Sequence, residues 1–208
     1  NTGGAATDYD YEGLLTNARL DAYLLKSETV NLMAGVQYSE ESLSSSIDGG
    51  LTVEDYKAQY EGLYLKSDFL LPQDFLFEYG VRQENAKGRS LASSYHVGLI
   101  WNKMVKVQYS TGFRTPSLFQ LYTSYGNPNL KPETSKDFSI TFEHKFGDQF
   151  YTALTYFDTQ FENLVEYSPA LMKFDNVAKT RTVGVESQTN ANFFEGQLRL
   201  SLGLGYQE

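Results

Sequence analysis

Residues 198–206 read LRLSLGLGY, and in this stretch leucine or tyrosine alternates with a polar residue or glycine at every position. Successive side chains of a β-strand point to opposite faces, so the stretch predicts a strand with one apolar and one polar face. The same alternation recurs at 18–24, 30–38, 75–82 and 105–113. The sequence therefore predicts an all-β protein.

The alternation and the turn residues between its repeats predict about ten strands. They cover residues 11–26, 29–39, 54–67, 74–85, 92–101, 103–113, 136–146, 149–162, 179–193 and 196–208. The strands at 54–67 and 149–162 show the pattern least cleanly, because apolar residues fall on both parities there. A short helical turn is the one exception to the β pattern, at 117–122.

The predicted connections alternate between short and long. Minimal turns are predicted at Asn102-Lys103 and Gly147-Asp148, and long loops at 40–53, 114–135 and 163–178. Tight turns on one rim and long loops on the other are typical of an antiparallel up-and-down transmembrane β-barrel. The alternative, a soluble sandwich or barrel, would have turns of mixed length without this order.

Charged side chains in the clearest strands fall on the polar parity: Arg19, Asp21, Glu78, Arg82, Lys106 and Arg199. A Lys or Arg facing lipid at the bilayer midplane costs about 2–4 kcal/mol, so we expect the apolar faces to contact lipid. The polar parity also carries small residues: Gly35, Gly80, Gly98, Gly112, Gly203, Gly205, Ser110, Ser139, Thr141 and Ser201. Such a lining would fill a narrow lumen poorly, which favours a second body inside a wider barrel.

Composition argues against several function classes. The 208 residues include no cysteine, so neither a disulfide nor a thiolate metal site is predicted. The net charge of −9 argues against nucleic acid as a partner, because phosphate binding requires clustered Lys and Arg. We predict no cofactor.

One stretch interrupts the alternation. Residues 107–137 read VQYSTGFRTPSLFQLYTSYGNPNLKPETSKD. Pro116, Pro128 and Pro132 lack a backbone donor and end a sheet ladder, so the stretch is predicted to be an ordered loop. We interpret it first as a structural staple over its own strands. The second interpretation is direct ligand contact by Arg114, Tyr122 and Tyr125.

This stretch resembles the barrel segment of TonB-dependent outer-membrane receptors. The resemblance rests, after Gly112, on Phe113, Arg114, Pro116, Leu121, Tyr122, Asn127, Pro128, Asn129, Leu130, Lys131, Pro132 and Glu133. Thr115 stands where the family usually has Ala. Shorter similarities occur at 34–38, 79–82 and 183–186.

The resemblance implies a segment of a larger, 22-stranded barrel with a plug domain in its lumen. Family members import ferric siderophores, cobalamin, haem or similar scarce nutrients across the outer membrane, with energy supplied through TonB. For this chain the resemblance implies a receptor for a metal chelate or cobalamin, with outer-membrane lipid, a plug domain and the TonB system as partners. Residues 1–208 show neither a plug nor a TonB box, so we expect them to be part of the barrel domain.

Two other functions stay open. One is a passive or structural outer-membrane barrel without TonB coupling, and the other is a barrel protease. A protease would use His96 or His144, both expected on the lumen parity, but each is more simply a hydrogen-bonded strand residue. The acidic residues around 40–53 could hold a divalent cation, although solvation is the simpler interpretation. No catalytic spacing stands out, and we predict no enzymatic activity.

Overall fold

The structure, a computed structural model, describes residues 9–47, 51–86, 92–147, 149–177 and 179–208. Its elements are β1 (Tyr9–Lys26), β2 (Val30–Ile47), β3 (Leu51–Leu71), β4 (Phe75–Ala86), β5 (Ala92–Trp101), β6 (Val105–Arg114), α1 (Leu118–Tyr122), β7 (Glu133–Phe146), β8 (Phe150–Glu162), β9 (Val165–Ser168), β10 (Lys173–Asn176), β11 (Thr180–Phe193), a 3₁₀ turn (Phe194–Gly196) and β12 (Leu198–Gln207). In this part of the chain no helix has the length and apolar character needed to cross a membrane.

Ten strands form a single antiparallel sheet in the order β1-β2-β3-β4-β5-β6-β7-β8-β11-β12. The strands β9 and β10 form a separate two-stranded hairpin between β8 and β11. Within the described residues, β1 and β12 are the two edges of the sheet. The up-and-down order confirms the predicted fold class, as a segment that does not close on itself.

Short turns share one rim of the sheet, because consecutive strands run in opposite directions. Four of them occupy 27–29, 72–74, 102–104 and 194–197, and a fifth begins at Gly147, between β7 and β8. Asn102 and Lys103 both have positive φ, 50° and 54°, as a two-residue type I′ turn requires. Gly147 also has positive φ, 61°, while Asp148 lies outside the described residues. The predicted minimal turn at Asn102-Lys103 is therefore confirmed.

The predicted long loop at 40–53 is wrong. Strand β2 continues to Ile47 and β3 begins at Leu51, and the two remain paired with one irregularity between Ser45 and Ser46. Residues 40–46 are mostly polar on both parities, so the alternation that identifies a half-buried strand disappears there although the ladder continues. The predicted loop at 163–178 likewise contains the β9–β10 hairpin, and β7 begins at Glu133.

The register gives the sheet two chemically different faces. One row across nine strands is apolar or aromatic throughout: Val30, Phe69, Phe77, Leu99, Val107, Ile140, Tyr156, Val185 and Tyr206. The neighbouring row on the opposite face is Asn31, Asp68, Glu78, Gly98, Gln108, Ser139, Phe157, Gly184 and Gln207. We call these the outer and the inner face. The charged and small residues predicted for the polar parity lie on the inner face.

The two histidines lie on opposite faces of the sheet. His96 is on the inner face, where its ring lies 3.5 Å from the side-chain amide of Gln108. His144 shares the parity of Ile140 and packs edge-on against Phe146, with ring centroids 4.3 Å apart. The expectation that His144 faces the lumen is therefore wrong, and the two histidines do not belong to one site.

Aromatic side chains on the inner face account for the two least regular strands. Phe157 lies across its register partner Gly184, where an added Cβ would come within 2.6 Å of the phenyl ring. Tyr64 lies across Gly35 in the same way, so a Cβ added at Gly35 would overlap the tyrosine ring. The Arg19 guanidinium lies 4.8 Å from the centroid of this ring. An aromatic ring over a strand glycine fills the gap that the missing side chain leaves. Apolar residues on the polar parity are thus structural here.

Candidate functional site

Residues 115–132 connect β6 to β7 and contact strands far from both, so we call this segment the strap. Its helix α1 reaches β2, where the Leu118 backbone N–H donates to Glu41 Oε1 at 3.0 Å. Tyr122 stacks on Tyr56 of β3, with ring centroids 4.5 Å apart and an interplanar angle of 12°. Glu41 and Tyr56 both lie on the inner face. The strap therefore lies across the inner face, at the rim opposite the short turns.

The local sequence fixes where α1 begins. Ser117 Oγ accepts from the Gln120 backbone N–H at 3.3 Å, and Gln120 Oε1 accepts from the Ser117 backbone N–H at 3.0 Å. This reciprocal capping box satisfies two donors that a helix start otherwise leaves unpaired. After the helix, Gly126 packs so closely that an added Cβ would lie 2.6 Å from Leu121 backbone atoms. The predicted helical turn at 117–122 is confirmed.

An ion pair closes the base of the strap. Arg114 and Glu133 are register partners at the ends of β6 and β7. The guanidinium donates to both carboxylate oxygens, each at 2.7 Å. Glu133 Oε1 also accepts from the backbone N–H of Val165 at 2.8 Å. A nearly buried carboxylate thus joins the strap to the β9–β10 hairpin.

The hairpin packs on the strap through backbone and amide contacts. The Phe174 N–H donates to the Tyr125 carbonyl at 2.8 Å, and Asn127 Nδ2 donates to the Phe174 carbonyl at 3.1 Å. Asn176 exchanges two hydrogen bonds with the Lys131 backbone, at 2.8 and 3.0 Å. A small apolar core lies between the two segments, formed by Leu121, Leu130 and Val165 with Tyr122 and Phe174 packed against it.

The three residues that were predicted to contact ligand have different surroundings in the structure. Arg114 is engaged with Glu133, and Tyr122 is stacked on Tyr56. Tyr125 is 47% exposed and packs edge-on against Tyr167, with centroids 5.8 Å apart. Among the other motif residues Leu121 and Leu130 are buried, whereas Pro128, Asn129 and Lys131 are exposed.

An open pocket of about 680 Å³ lies between the base of the strap and the sheet, lined by residues of β1–β6. We call it the chamber. Its polar lining comprises Asn17, Ser39, Glu41, Tyr60, Arg82, Glu84, Ser94, Arg114, Thr115 and Ser117. A chain of hydrogen bonds crosses its wall. Ser39 Oγ donates to Asn17 at 2.6 Å, Gln37 donates to Ser39 at 3.2 Å, and Arg82 donates to Gln37 at 3.0 Å. Sequence reasoning placed Arg82 on the polar parity but did not identify these partners.

Two ion pairs lie at the strap rim, Arg114 with Glu133 and Lys179 with Glu162. The hydrogen bond from Lys179 to Glu162, at 2.7 Å, lowers the pKa of the Glu162 carboxyl. Glu40 and Glu41 are adjacent in a strand and therefore point to opposite faces. The described part of the chain has no group of three or more His, Cys, Asp or Glu that could hold a metal ion.

A sheet with an apolar outer face, a polar inner face and long connections on one rim is the wall of a transmembrane β-barrel. The whole chain, residues 1–208, matches the family described as "TonB dependent receptor-like, beta-barrel". The protein belongs to this family of outer-membrane receptors.

Solved structures share the fold at low sequence identity. The siderophore receptor PirA from Pseudomonas aeruginosa matches with a TM-score of 0.75 and 20% identity, over 98% of this chain and 44% of that one. The ferric enterobactin receptor PfeA from the same organism, solved with enterobactin, gives 0.75 and 20%, over 96% and 36%. The copper transporter OprC gives 0.76 and 12%, over 97% and 38%. The chain spans less than half the length of each of these structures.

Proposed function

We propose that this chain forms part of the barrel wall of an outer-membrane receptor that imports a scarce nutrient as a small metal chelate. The observation that carries the proposal is the strap, which is tied across the inner face above a chamber of about 680 Å³. Pockets for small molecules usually measure about 300–1,000 Å³. A lumen restricted by a fixed segment over a ligand-sized space suits selective uptake better than free diffusion.

The names of the similar structures support a metal chelate as the cargo. PirA is a siderophore receptor, PfeA was solved with enterobactin, and OprC is a copper transporter. None of these names concerns cobalamin, which stays a prediction from the sequence resemblance alone.

The proposed partners follow from the two faces of the sheet. Lipid of the outer membrane would cover the outer face. A plug domain would pack against the glycine- and serine-rich inner face, and the TonB system would supply the energy for uptake. Residues 1–208 would then be part of the barrel domain of a larger receptor.

The contacts of the motif support structural roles for most of its residues. We assign Arg114, Tyr122, Leu121, Leu130 and Glu133 to holding the strap, because each has a partner within the protein. Tyr125 is the residue that we assign to ligand contact, because nearly half of its surface stays exposed at the rim.

Uptake of radioactive iron by cells tests the proposal. The intact gene would be expressed in a bacterium that lacks its own iron-chelate receptors, with and without TonB. We expect chelate-dependent uptake that disappears without TonB. Uptake that persists without TonB would indicate a passive barrel, and no uptake from any chelate would contradict the proposal. Labelled cobalamin, supplied in a parallel experiment, tests the other cargo.

A further inference from the structure

Five aromatic rings form a continuous chain across the strap and the hairpin, and we call this chain the aromatic row. Successive rings meet edge to face, in the order Tyr11, Phe119, Phe174, Tyr167 and Tyr125. Their centroids are 5.2, 6.1, 5.9 and 5.8 Å apart in that order. The row begins on the inner face of β1 and crosses α1 to the β9–β10 hairpin, so it joins elements that are distant in sequence.

The register of the hairpin places Tyr167 and Phe174 on one of its two sides. They are register partners, and Val165 and Asn176 share this side because alternate residues of a strand point the same way. Val165 packs in the small apolar core, and Asn176 bonds to the Lys131 backbone of the strap. The other side of the hairpin is polar and carries Glu166, Ser168, Lys173 and Asp175. The hairpin is therefore amphipathic, with its aromatic side against the strap.

The contacts within the aromatic row leave much of its surface open. The exposed fractions are 37% for Phe119, 44% for Tyr167 and 47% for Tyr125. An edge-to-face contact occupies one face or one edge of a ring, so another planar group can still pack on the remaining surface. The row therefore presents aromatic surface, with the phenol hydroxyls of its tyrosines as hydrogen-bonding groups.

The aromatic row leads into the chamber. Gly13, Leu15 and Asn17 follow Tyr11 at every second position along the inner face of β1, and all three line the chamber. Ser117, two residues before Phe119 in the chain, lines the chamber as well. A molecule that is held on the row therefore lies beside the lining of the chamber.

We propose that the aromatic row is the first binding site of the imported chelate, and that it selects chelates with aryl groups over chelates with small alkyl groups. The inference rests on the proposed function and names a chemical feature of the cargo. Aromatic pairs prefer offset or edge-to-face contacts with centroids about 4.5–7 Å apart. An aryl group packed on Phe119, Tyr125 or Tyr167 continues the spacing that the row already has, whereas a methyl group covers much less of each ring.

Two synthetic ferric chelates of equal charge test the inference. Both are neutral tripodal trihydroxamates that form uncharged ferric complexes, and they differ only in carrying phenyl or methyl groups on the hydroxamate carbonyl carbons. Cells that express the full-length receptor would receive each complex with radioactive iron at the same limiting concentration. We expect at least about tenfold faster uptake from the phenyl chelate. Equal uptake or a preference for the methyl chelate would overturn the inference and leave the proposed function standing, and uptake of neither chelate would overturn both.

Ring variants show whether the preference arises at the aromatic row. Tyr125→Ala removes an exposed ring, so the ratio of phenyl to methyl chelate uptake should fall about fivefold. Tyr125→Phe keeps the ring and should keep the ratio. Tyr206→Ala removes an exposed ring from the outer face and is the control, for which the ratio should stay unchanged. An unchanged ratio in Tyr125→Ala, or an equal fall in Tyr206→Ala, would contradict the inference.

Photolabelling of the unaltered receptor covers a Tyr125→Ala protein that fails to reach the membrane. An aryl azide replaces the phenyl group of the chelate, and illumination of the bound complex couples it to the nearest side chains. Mass spectrometry of the digested receptor should find adducts within residues 119–125 or 167–174, the two segments that carry the exposed rings. Adducts confined to other residues, or no adducts, would overturn the proposal.

Discussion

Arg114 and Glu133 face each other as register partners at the two ends of the strap, joined by two contacts of 2.7 Å. Strands β6 and β7 run antiparallel, so the ends of a long connection meet at one point, and this ion pair occupies that point. Glu133 also accepts from the Val165 N–H, which extends the closure to the next connection along the rim. The Glu133 carboxylate thereby contacts both long connections of this rim that the structure describes, the strap and the segment with the β9–β10 hairpin.

The two partners of this ion pair should differ in their contribution to stability. The side chain of Glu133 is 11% exposed and that of Arg114 is 64% exposed. Glu133→Ala leaves the buried Val165 N–H without its acceptor and should destabilise the hairpin by about 2 kcal/mol. Arg114→Ala keeps that bond and should cost about 1 kcal/mol or less.

The readout is cleavage by a lysine-specific protease at Lys173, in β10. Local opening exposes this site, so 2 kcal/mol corresponds to about thirtyfold faster cleavage and 1 kcal/mol to about fivefold. Equal rates for the two variants would show that Glu133 has no role beyond the ion pair.

Gly126→Ala should displace the strap from the inner face. The added Cβ would lie 2.6–2.7 Å from backbone atoms of Leu121 and Tyr122, which cannot rotate away. Disulfide trapping between Tyr56→Cys and Tyr122→Cys reports the contact, and the chain has no other cysteine. We expect the trapped fraction to fall several-fold. Gly13→Ala, whose nearest contact is 4.0 Å away, is the control and should trap normally.

Gly35→Ala should destabilise the barrel by about 1–3 kcal/mol, because its Cβ would overlap the Tyr64 ring. The cost should shrink when Tyr64→Ala is combined with it, since the two residues share one space. Gly203→Ala has no atom within 4 Å and should change stability by less than about 0.5 kcal/mol. Urea unfolding midpoints of the receptor in lipid vesicles measure all of these changes. Additive effects of Gly35→Ala and Tyr64→Ala would contradict the packing account.

Adjacent lysine substitutions in β6 should have unequal costs. Val107→Lys places an ammonium on the outer face, where contact with lipid costs up to about 2–4 kcal/mol, depending on depth in the bilayer. Gln108→Lys places it on the inner face, where the change should stay within about 0.5 kcal/mol. The amount of folded receptor in isolated outer membranes, compared at equal expression, provides the measure. A larger loss for Gln108→Lys would reverse our assignment of the two faces.

The strands were predictable where one face contacts lipid, because the membrane imposes the alternation of apolar and polar residues. Val105 to Phe113 and Leu198 to Tyr206 show it without ambiguity. The alternation does not identify residues 40–47 as a strand, because these residues are mostly polar on both faces. His144 is a different case. Its neighbours Phe142 and Phe146 on the same parity are apolar, so the sequence alone already indicated that His144 lies on the outer face.

The site was less predictable than the fold. The proline-rich loop and its helix followed from local sequence, since Ser117 and Gln120 form a cap within a few residues. Glu41 and Tyr56 contact the strap, and Arg82 contacts Gln37 of β2, so only the packing of segments that are distant in sequence brings these partners together. The tyrosines on the polar parity of β3 were the signal in the sequence for these contacts. Tyr56 stacks on Tyr122 of the strap, Tyr60 donates to Glu41, and Tyr64 covers Gly35.

Spin labels along β6 test most directly whether the outer face contacts lipid. Labels introduced singly from Val105 to Ser110 in the full-length receptor, reconstituted in bilayers, would be exposed to oxygen and to a water-soluble nickel chelate. We predict high oxygen accessibility at positions 105, 107 and 109 and low oxygen accessibility at 106, 108 and 110, with a period of two. Accessibility without that period, or with the opposite parity, would contradict the account.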